Sequence, residues 1–274
     1  MKDVLMTIHV DDVPVERMEK RDGWAISEFR LPVGGAQGSS TTVFHSIFRP
    51  GSTHAKHMHR DSDEICVYLQ GHGVVGQGDS RSVVSPGHCR LMPRGSTHFF
   101  FNETKQKDAV CIGFYAGAAN VADSGYAYCG NVEPADLAMP RNGLDEGIHL
   151  HLEDVALLDT SGLDAYSAAE VRTPIGSHNG SDNALIQGVL PPGGGLAEHR
   201  LEKCEQLYFI VRGNGIARSG ERRMPVRSGH FIFVPKGTPF GLENADSGAP
   251  LEWIGVLTGA GSLAAAGYVR GGNA

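Results

Sequence analysis

Short apolar runs recur along the whole chain, broken at regular intervals by glycine, proline and small polar residues. Thr42–Phe48, Glu64–Leu69, Cys89–Met92, His98–Phe101 and Val110–Tyr115 are examples in the first half. Gln206–Val211, Phe231–Val234 and Leu251–Leu257 are their counterparts in the second. Runs this short read as strands rather than helices. Gly71-His72-Gly73, Pro86-Gly87-His88 and Pro93-Arg94-Gly95 supply the turn chemistry between them. No long amphipathic helix and no low-complexity tract interrupts the pattern. The 37 glycines, about twice the usual ~7% usage, suit many strands joined by tight turns. The expectation is an all-β protein.

The pattern is written twice. An offset of 142 residues carries Gly51 onto Gly193 and aligns nearly the whole chain without a gap. It places His9-Val10-Asp11-Asp12-Val13 on His151-Leu152-Glu153-Asp154-Val155, Gly71 on Gly213, Gly87 on Gly229, Pro93 on Pro235 and Asn102 on Asn244. Such self-similarity predicts two copies of one unit, each within the usual domain range. The expected boundaries are 1–131 for the first domain, 132–147 for a linker with one helical turn, and 148–274 for the second.

Candidate chemistry concentrates between Gly51 and Asn102. His57 and His59 are two apart and share one face of a strand. Glu64 follows across a short turn and shares its face with Cys66 and Tyr68, and His98 heads the run Phe99, Phe100, Phe101. Three imidazoles and a carboxylate are ligands for a divalent cation. Bringing them together from separate strands needs a rigid, closed β scaffold. Tyr68 is placed with Glu64 as a candidate catalytic residue, and Phe100, in phase with His98, as a wall of the pocket. Phe99 and Phe101 are assigned to packing between sheets or subunits. His45, His54, His72 and His88 read as surface or turn residues, with His54 out of phase with His57. Asp61 and Asp63 read as solvated.

At these residues the sequence resembles the cupin superfamily. Gly51, His57, His59, Glu64 and Gly71 match its first motif, G-x5-H-x-H-x(3,4)-E-x6-G. Gly87, Pro93, Gly95, His98 and Asn102 match its second, G-x5-P-x-G-x2-H-x3-N. The resemblance implies two tandem double-stranded β-helix, or jelly-roll, barrels, as in the bicupins. It also implies a metal held by His57, His59, Glu64 and His98.

The duplicate shows what loss of such a site looks like. Under the offset His57 becomes His199, but His59 becomes Leu201, Glu64 becomes Gln206 and His98 becomes Phe240. Glu205 lies beside Gln206 but alternation aims it at the other face. Leu201 and Phe240 are expected to fill the vacated centre with hydrocarbon. One divalent ion per chain is therefore expected, in the first barrel only.

Composition narrows the setting. A net charge of −7 leaves no basic footprint, so nucleic acid is not an expected partner. No apolar run reaches the ~18 residues of a membrane span, and the first residues lack an apolar signal region. Five cysteines without CxxC pairing suggest reduced thiols and a cytoplasmic protein. Cupins commonly form homodimers or larger assemblies, and the same is expected here.

A six-coordinate ion held by four protein ligands keeps two positions for water or for a chelating substrate such as an enol, catechol, α-hydroxy acid or β-diketone. The resemblance to cupin dioxygenases implies an Fe(II) dioxygenase acting with dioxygen on a small oxygen-rich or aromatic substrate. Two alternatives stand beside it. One is a non-redox lyase, isomerase or hydrolase using Mn(II), Ni(II) or Zn(II). The other is a small-molecule binding protein without turnover.

Overall fold

The computed structural model describes residues 4–16 and 25–271. The first half contains β1 (Met6–His9), β2 (Glu28–Val33), β3 (Thr42–Phe48), β4 (Thr53–His59), β5 (Asp63–Gln70), β6 (Gly73–Gln77), β7 (Ser80–Val84), β8 (His88–Met92), β9 (His98–Phe101), β10 (Ala109–Ala116) and β11 (Tyr126–Gly130). Helix α1 (Pro134–Ala138) and strand β12 (Ile148–His151) follow. The second half contains β13 (Glu170–Ile175), β14 (Ala184–Leu190), β15 (Gly195–Leu201), β16 (Gln206–Arg212), β17 (Asn214–Ser219), β18 (Arg222–Arg227), β19 (His230–Val234), β20 (Phe240–Asn244), β21 (Leu251–Leu257) and β22 (Tyr268–Arg270). Among the described residues, no helix is long and apolar enough to cross a membrane.

Two compact units divide these strands, and each is a jelly-roll barrel of two antiparallel sheets. One unit, Val13–Ala36 with Ser40–Glu153, has a six-stranded sheet β12-β8-β5-β10-β3-β2 and a five-stranded sheet β11-β4-β9-β6-β7. The other, Met1–Asp12 with Gln37–Ser39 and Asp154–Ala274, repeats the plan as β1-β19-β16-β21-β14-β13 and β18-β17-β20-β15-β22. Each sheet buries its inward face, so the apolar runs of the sequence become the two barrel interiors.

The units depart from the expected boundaries, and the sheet edges give the reason. Strand β1 opens the first sequence copy but pairs with β19, His9 opposite His230. Strand β12 opens the second copy but pairs with β8, His151 opposite His88. The copies thus exchange their opening strands, and residues 148–153 complete the barrel that lies before them in sequence. Colinear alignment of the copies is blind to this exchange, because the two strands are equivalent.

Glycine serves the motif at two points where no other residue fits. Gly71 takes φ 76° and a Cβ there would lie 2.5 Å from the Asp108 carbonyl oxygen. Gly87 takes φ 93° and a Cβ would meet the His151 ring at 2.6 Å, which is the seat of the exchanged strand.

Candidate metal centre

His57 and His59 point inward from β4 and His98 from β9, all in the five-stranded sheet of their unit. Glu64 points to meet them from β5 in the six-stranded sheet. All four are buried, and one ligand atom from each lies within 4.8 Å of the others. The sequence-derived set thus converges inside the barrel. Glu64 Oε2 is the hub, 2.9 Å from His59 Nε2, 3.1 Å from His98 Nε2 and 3.9 Å from His57 Nε2.

The outer nitrogens fix the rings. His57 Nδ1 donates to the Ala55 carbonyl at 2.7 Å and His98 Nδ1 to the Ser96 carbonyl at 2.9 Å. His59 Nδ1 meets Ser124 Oγ at 2.7 Å, and that hydroxyl spends its own proton on the Val121 carbonyl. Each acceptor requires a proton on Nδ1, so each Nε2 turns a bare lone pair toward the carboxylate. Nε2 of His57 and of His59 is buried without a hydrogen bond. Lone pairs converging on a carboxylate repel unless a cation sits among them.

Electrostatics favours the ligand-ready protonation states. Burial, reinforced by the neighbouring His98, lowers His57 to about 4, so it is neutral at ordinary pH. For Glu64 burial pushes upward, but the three surrounding imidazoles, His98 foremost, outweigh it and hold the carboxyl well below its usual range. The Cys66 thiol adds a bond to Glu64 Oε1 at 3.0 Å. Neutral imidazoles with one ionised carboxylate fit a divalent cation with nitrogen and oxygen preferences, and the mix is unlike sulfur-rich structural zinc sites.

The ligands open onto a narrow cavity lined by Phe48, Tyr68, Arg90, Met92, Phe100 and Tyr115 among others. Cys66, Tyr68 and Phe100 take the inward positions expected from alternation. Phe99 is buried as well and carries the Arg81 guanidinium 4.8 Å above its ring.

His54 is a correction. It was expected out of phase, yet it lines the cavity and stacks on His57 with ring centroids 3.7 Å apart. A register shift between His54 and His57 is responsible: His57 pairs with His98 and His54 with Phe100, three residues against two. The bulge adds one residue and reverses the parity. His45 is likewise buried rather than exposed. Asp63 is not merely solvated, since it accepts the Arg94 backbone N–H at 3.0 Å. Arg90, Tyr115 and Ser124 were missed. Arg90 could have been found from its alternation with Met92 in β8, Tyr115 from the end of the run Val110–Tyr115.

The second barrel closes over the lost site. Leu201 and Phe240 are fully buried there, as expected. The remaining polar groups are satisfied by tyrosines: Tyr166 Oη meets His199 Nε2 at 3.0 Å, and Tyr208 donates to Gln206 Oε1. Glu205 instead accepts from Ser39 at 2.7 Å. Among the described residues the first barrel holds the only cluster of potential metal ligands.

Two barrels of this topology with this ligand set in one define a bicupin, and the family assignment is direct. The cupin domain model matches residues 44–115 and 187–257, more than half of the chain, so the chain belongs to the cupin family. Among curated relatives, wheat (Triticum aestivum) oxalate oxidase GF-2.8 is 35% identical over 104 residues, covering 34% of this chain and 46% of the relative. An oxalate-binding protein of Thermotoga maritima is 28% identical over 68 residues, covering 25% and 55%. The chain thus spans about half the length of the curated relatives it matches. Among solved structures, a point mutant of Bacillus subtilis oxalate decarboxylase superposes with a TM-score of 0.72 at 14% identity, covering 97% of this chain and 79% of the other. The Lactobacillus farciminis oxalate decarboxylase formate complex gives 0.70 at 13% identity, covering 96% and 88%.

Proposed function

We propose that this bicupin is a metal-dependent enzyme acting on a small oxygen-rich substrate, with His57, His59, Glu64 and His98 holding one divalent cation. The observation that carries the reading is the set of three imidazoles whose Nδ1–H groups are all engaged outward, leaving three Nε2 lone pairs aimed at one ionised carboxylate. Fe(II) and Mn(II) both suit such donors, and a solved Bacillus subtilis oxalate decarboxylase is described by its Mn(II) centers. When bound, such a cation polarises a chelated oxygen and opens a route for electrons to dioxygen.

The chain's own residues do the rest. Ala55, Ser96 and Ser124 orient the three rings, and Cys66 steadies Glu64 through its second oxygen. Phe48, Phe100 and Met92 keep bulk water from the centre. Burial pushes the Tyr68 hydroxyl well up, so it stays protonated and donates a hydrogen bond to substrate. The narrow cavity favours a small substrate over a polycyclic aromatic one. Redox turnover with dioxygen is supported by the oxalate oxidase relatives, and non-redox carbon–carbon cleavage by the fold shared with oxalate decarboxylases.

The test is elemental analysis of anaerobically purified protein followed by oxygen uptake and carbon dioxide release on adding oxalate and related small acids. One iron or manganese per chain with turnover of either kind is the expected result. A chain that holds no metal after gentle purification overturns the reading.

A further inference from the structure

Arg90 is 1% exposed and sits inside the first barrel, on the inward face of β8 two residues from Met92. Its backbone pairs with Cys66, one inward step along β5 from Glu64. Its Nη2 donates to Gln77 Oε1 at 3.1 Å, its Nε has no hydrogen bond, and the side chain lines the cavity that contains the ligands. No described carboxylate forms an ion pair with it; the only acid lining that cavity is Glu64, already committed to the three histidines. A buried guanidinium without an acid partner is strongly unfavourable, so something must repay it.

The second barrel shows that the fold does not need this charge. Under the 142-residue offset Arg90 becomes Ile232 and Gln77 becomes Ser219. Tyr68 becomes Ile210 and His54 becomes Leu196. Ile232, Ile210 and Leu196 belong to the close-packed core around Trp253. Where the ligands disappear, the arginine disappears with them.

We propose that Arg90, with Tyr68 beside it, is the substrate-recognition group of the first barrel and that it selects a dianion: a molecule with one acidic oxygen pair at the metal end and a carboxylate that meets the guanidinium. The proposal rests on the metal-enzyme reading above and narrows it. A dication, Glu64 and Arg90 together leave the cavity with a formal +2, which a dianion neutralises and a neutral diol or β-diketone does not. The guanidinium fork matches a carboxylate with two parallel hydrogen bonds, and the free Nε–H supplies one of them.

The isosteric series oxalate, oxamate and oxamide separates charge from shape, and calorimetric titration into metal-loaded protein reads it. Arg90→Gln should weaken oxalate about tenfold to a hundredfold, the range for a hydrogen bond to a charged group, while changing oxamide by less than about threefold. Metal content should stay at the wild-type value. Equal weakening of all three probes, or none, overturns the proposal, because a strut between the sheets would affect them alike. If Arg90→Gln does not fold, Arg90→Lys carries the same test, since it keeps the charge and loses the fork. A selective loss of oxalate affinity then supports the proposal and a uniform change overturns it. Wild-type protein without metal would end the enzyme reading by elemental assay alone, and Arg90-dependent oxalate binding to that metal-free protein would still decide the role of Arg90.

Discussion

His57 and His199 are the same position in two copies of one barrel, and replacing each by alanine should give opposite results. His199 is fully buried, its Nδ1 donates to the Ala197 carbonyl, and its Nε2 holds the Tyr166 hydroxyl at 3.0 Å. His199→Ala leaves that hydroxyl short of a partner, worth about 1–3 kcal/mol. The lost packing brings the total to the ~2–5 kcal/mol typical of truncating a large buried side chain. For a unit of this size that is on the order of 10 °C in Tm. Metal content should not change. His57→Ala removes a ligand and should weaken metal binding by more than the ~10–100-fold that loss of an outer partner costs. In metal-free protein, however, the His57 Nε2 is already an unpartnered buried atom. Its removal relieves about 1–3 kcal/mol and offsets part of the lost packing, so the metal-free Tm should fall less than in His199→Ala. The assays are elemental analysis and thermal unfolding with and without chelator. Metal lost from His199→Ala, two ions in the wild-type chain, or full occupancy in His57→Ala would each refute the asymmetry.

Ser124→Ala removes the acceptor that fixes the His59 tautomer and should weaken metal binding about 10–100-fold with the fold retained, as read by competition with a metallochromic chelator. In metal-free protein, burial holds both His57 and His149 near 4, below the ordinary histidine value of ~6.5. The unfolded chain therefore binds protons first as the pH falls, so urea midpoints should be flat above that value and decline down to about 4; a rise in that window would contradict the assigned neutral states. Gly188→Ala places a methyl 1.9 Å from the Trp253 ring in the second barrel and should cost ~1–3 kcal/mol or more through overpacking, measured by denaturant unfolding, with metal content unchanged.

The ligand set was legible because it depends only on side-chain alternation and on spacing within short strands, and both survive folding. The duplication was legible for a similar reason, since one offset carries turn residues onto turn residues. What escaped the sequence was non-local. The bulge between His54 and His57 breaks alternation without changing composition, so His54 was put on the wrong face. The exchange of β1 and β12 depends on which sheet edge each strand reaches, and two equivalent strands give the chain no local sign of that choice. Arg90 was missed because a charge in a strand ordinarily faces water. Its alternation with Met92 in β8 was the one sign in the sequence that this one does not.

The two copies separate what the fold needs from what the chemistry needs. Asn102 donates to the carbonyls of Phe48 and Lys107, and Asn244 repeats this with those of Leu190 and Ala249. Gly71 and Gly213, like Gly87 and Gly229, take positive φ in both copies. These positions hold turns and strand seats, and both barrels keep them. At the site itself the inward positions diverge: His59, Glu64, His98, Arg90, His54 and Tyr68 become Leu201, Gln206, Phe240, Ile232, Leu196 and Ile210. Replacing a polar, ion-ready interior by hydrocarbon is the change expected once no ligand repays the desolvation of buried charge. A barrel that kept those polar groups with nothing to bind would carry their cost unrelieved. Their retention in the first barrel is therefore a physical argument that its cavity is filled.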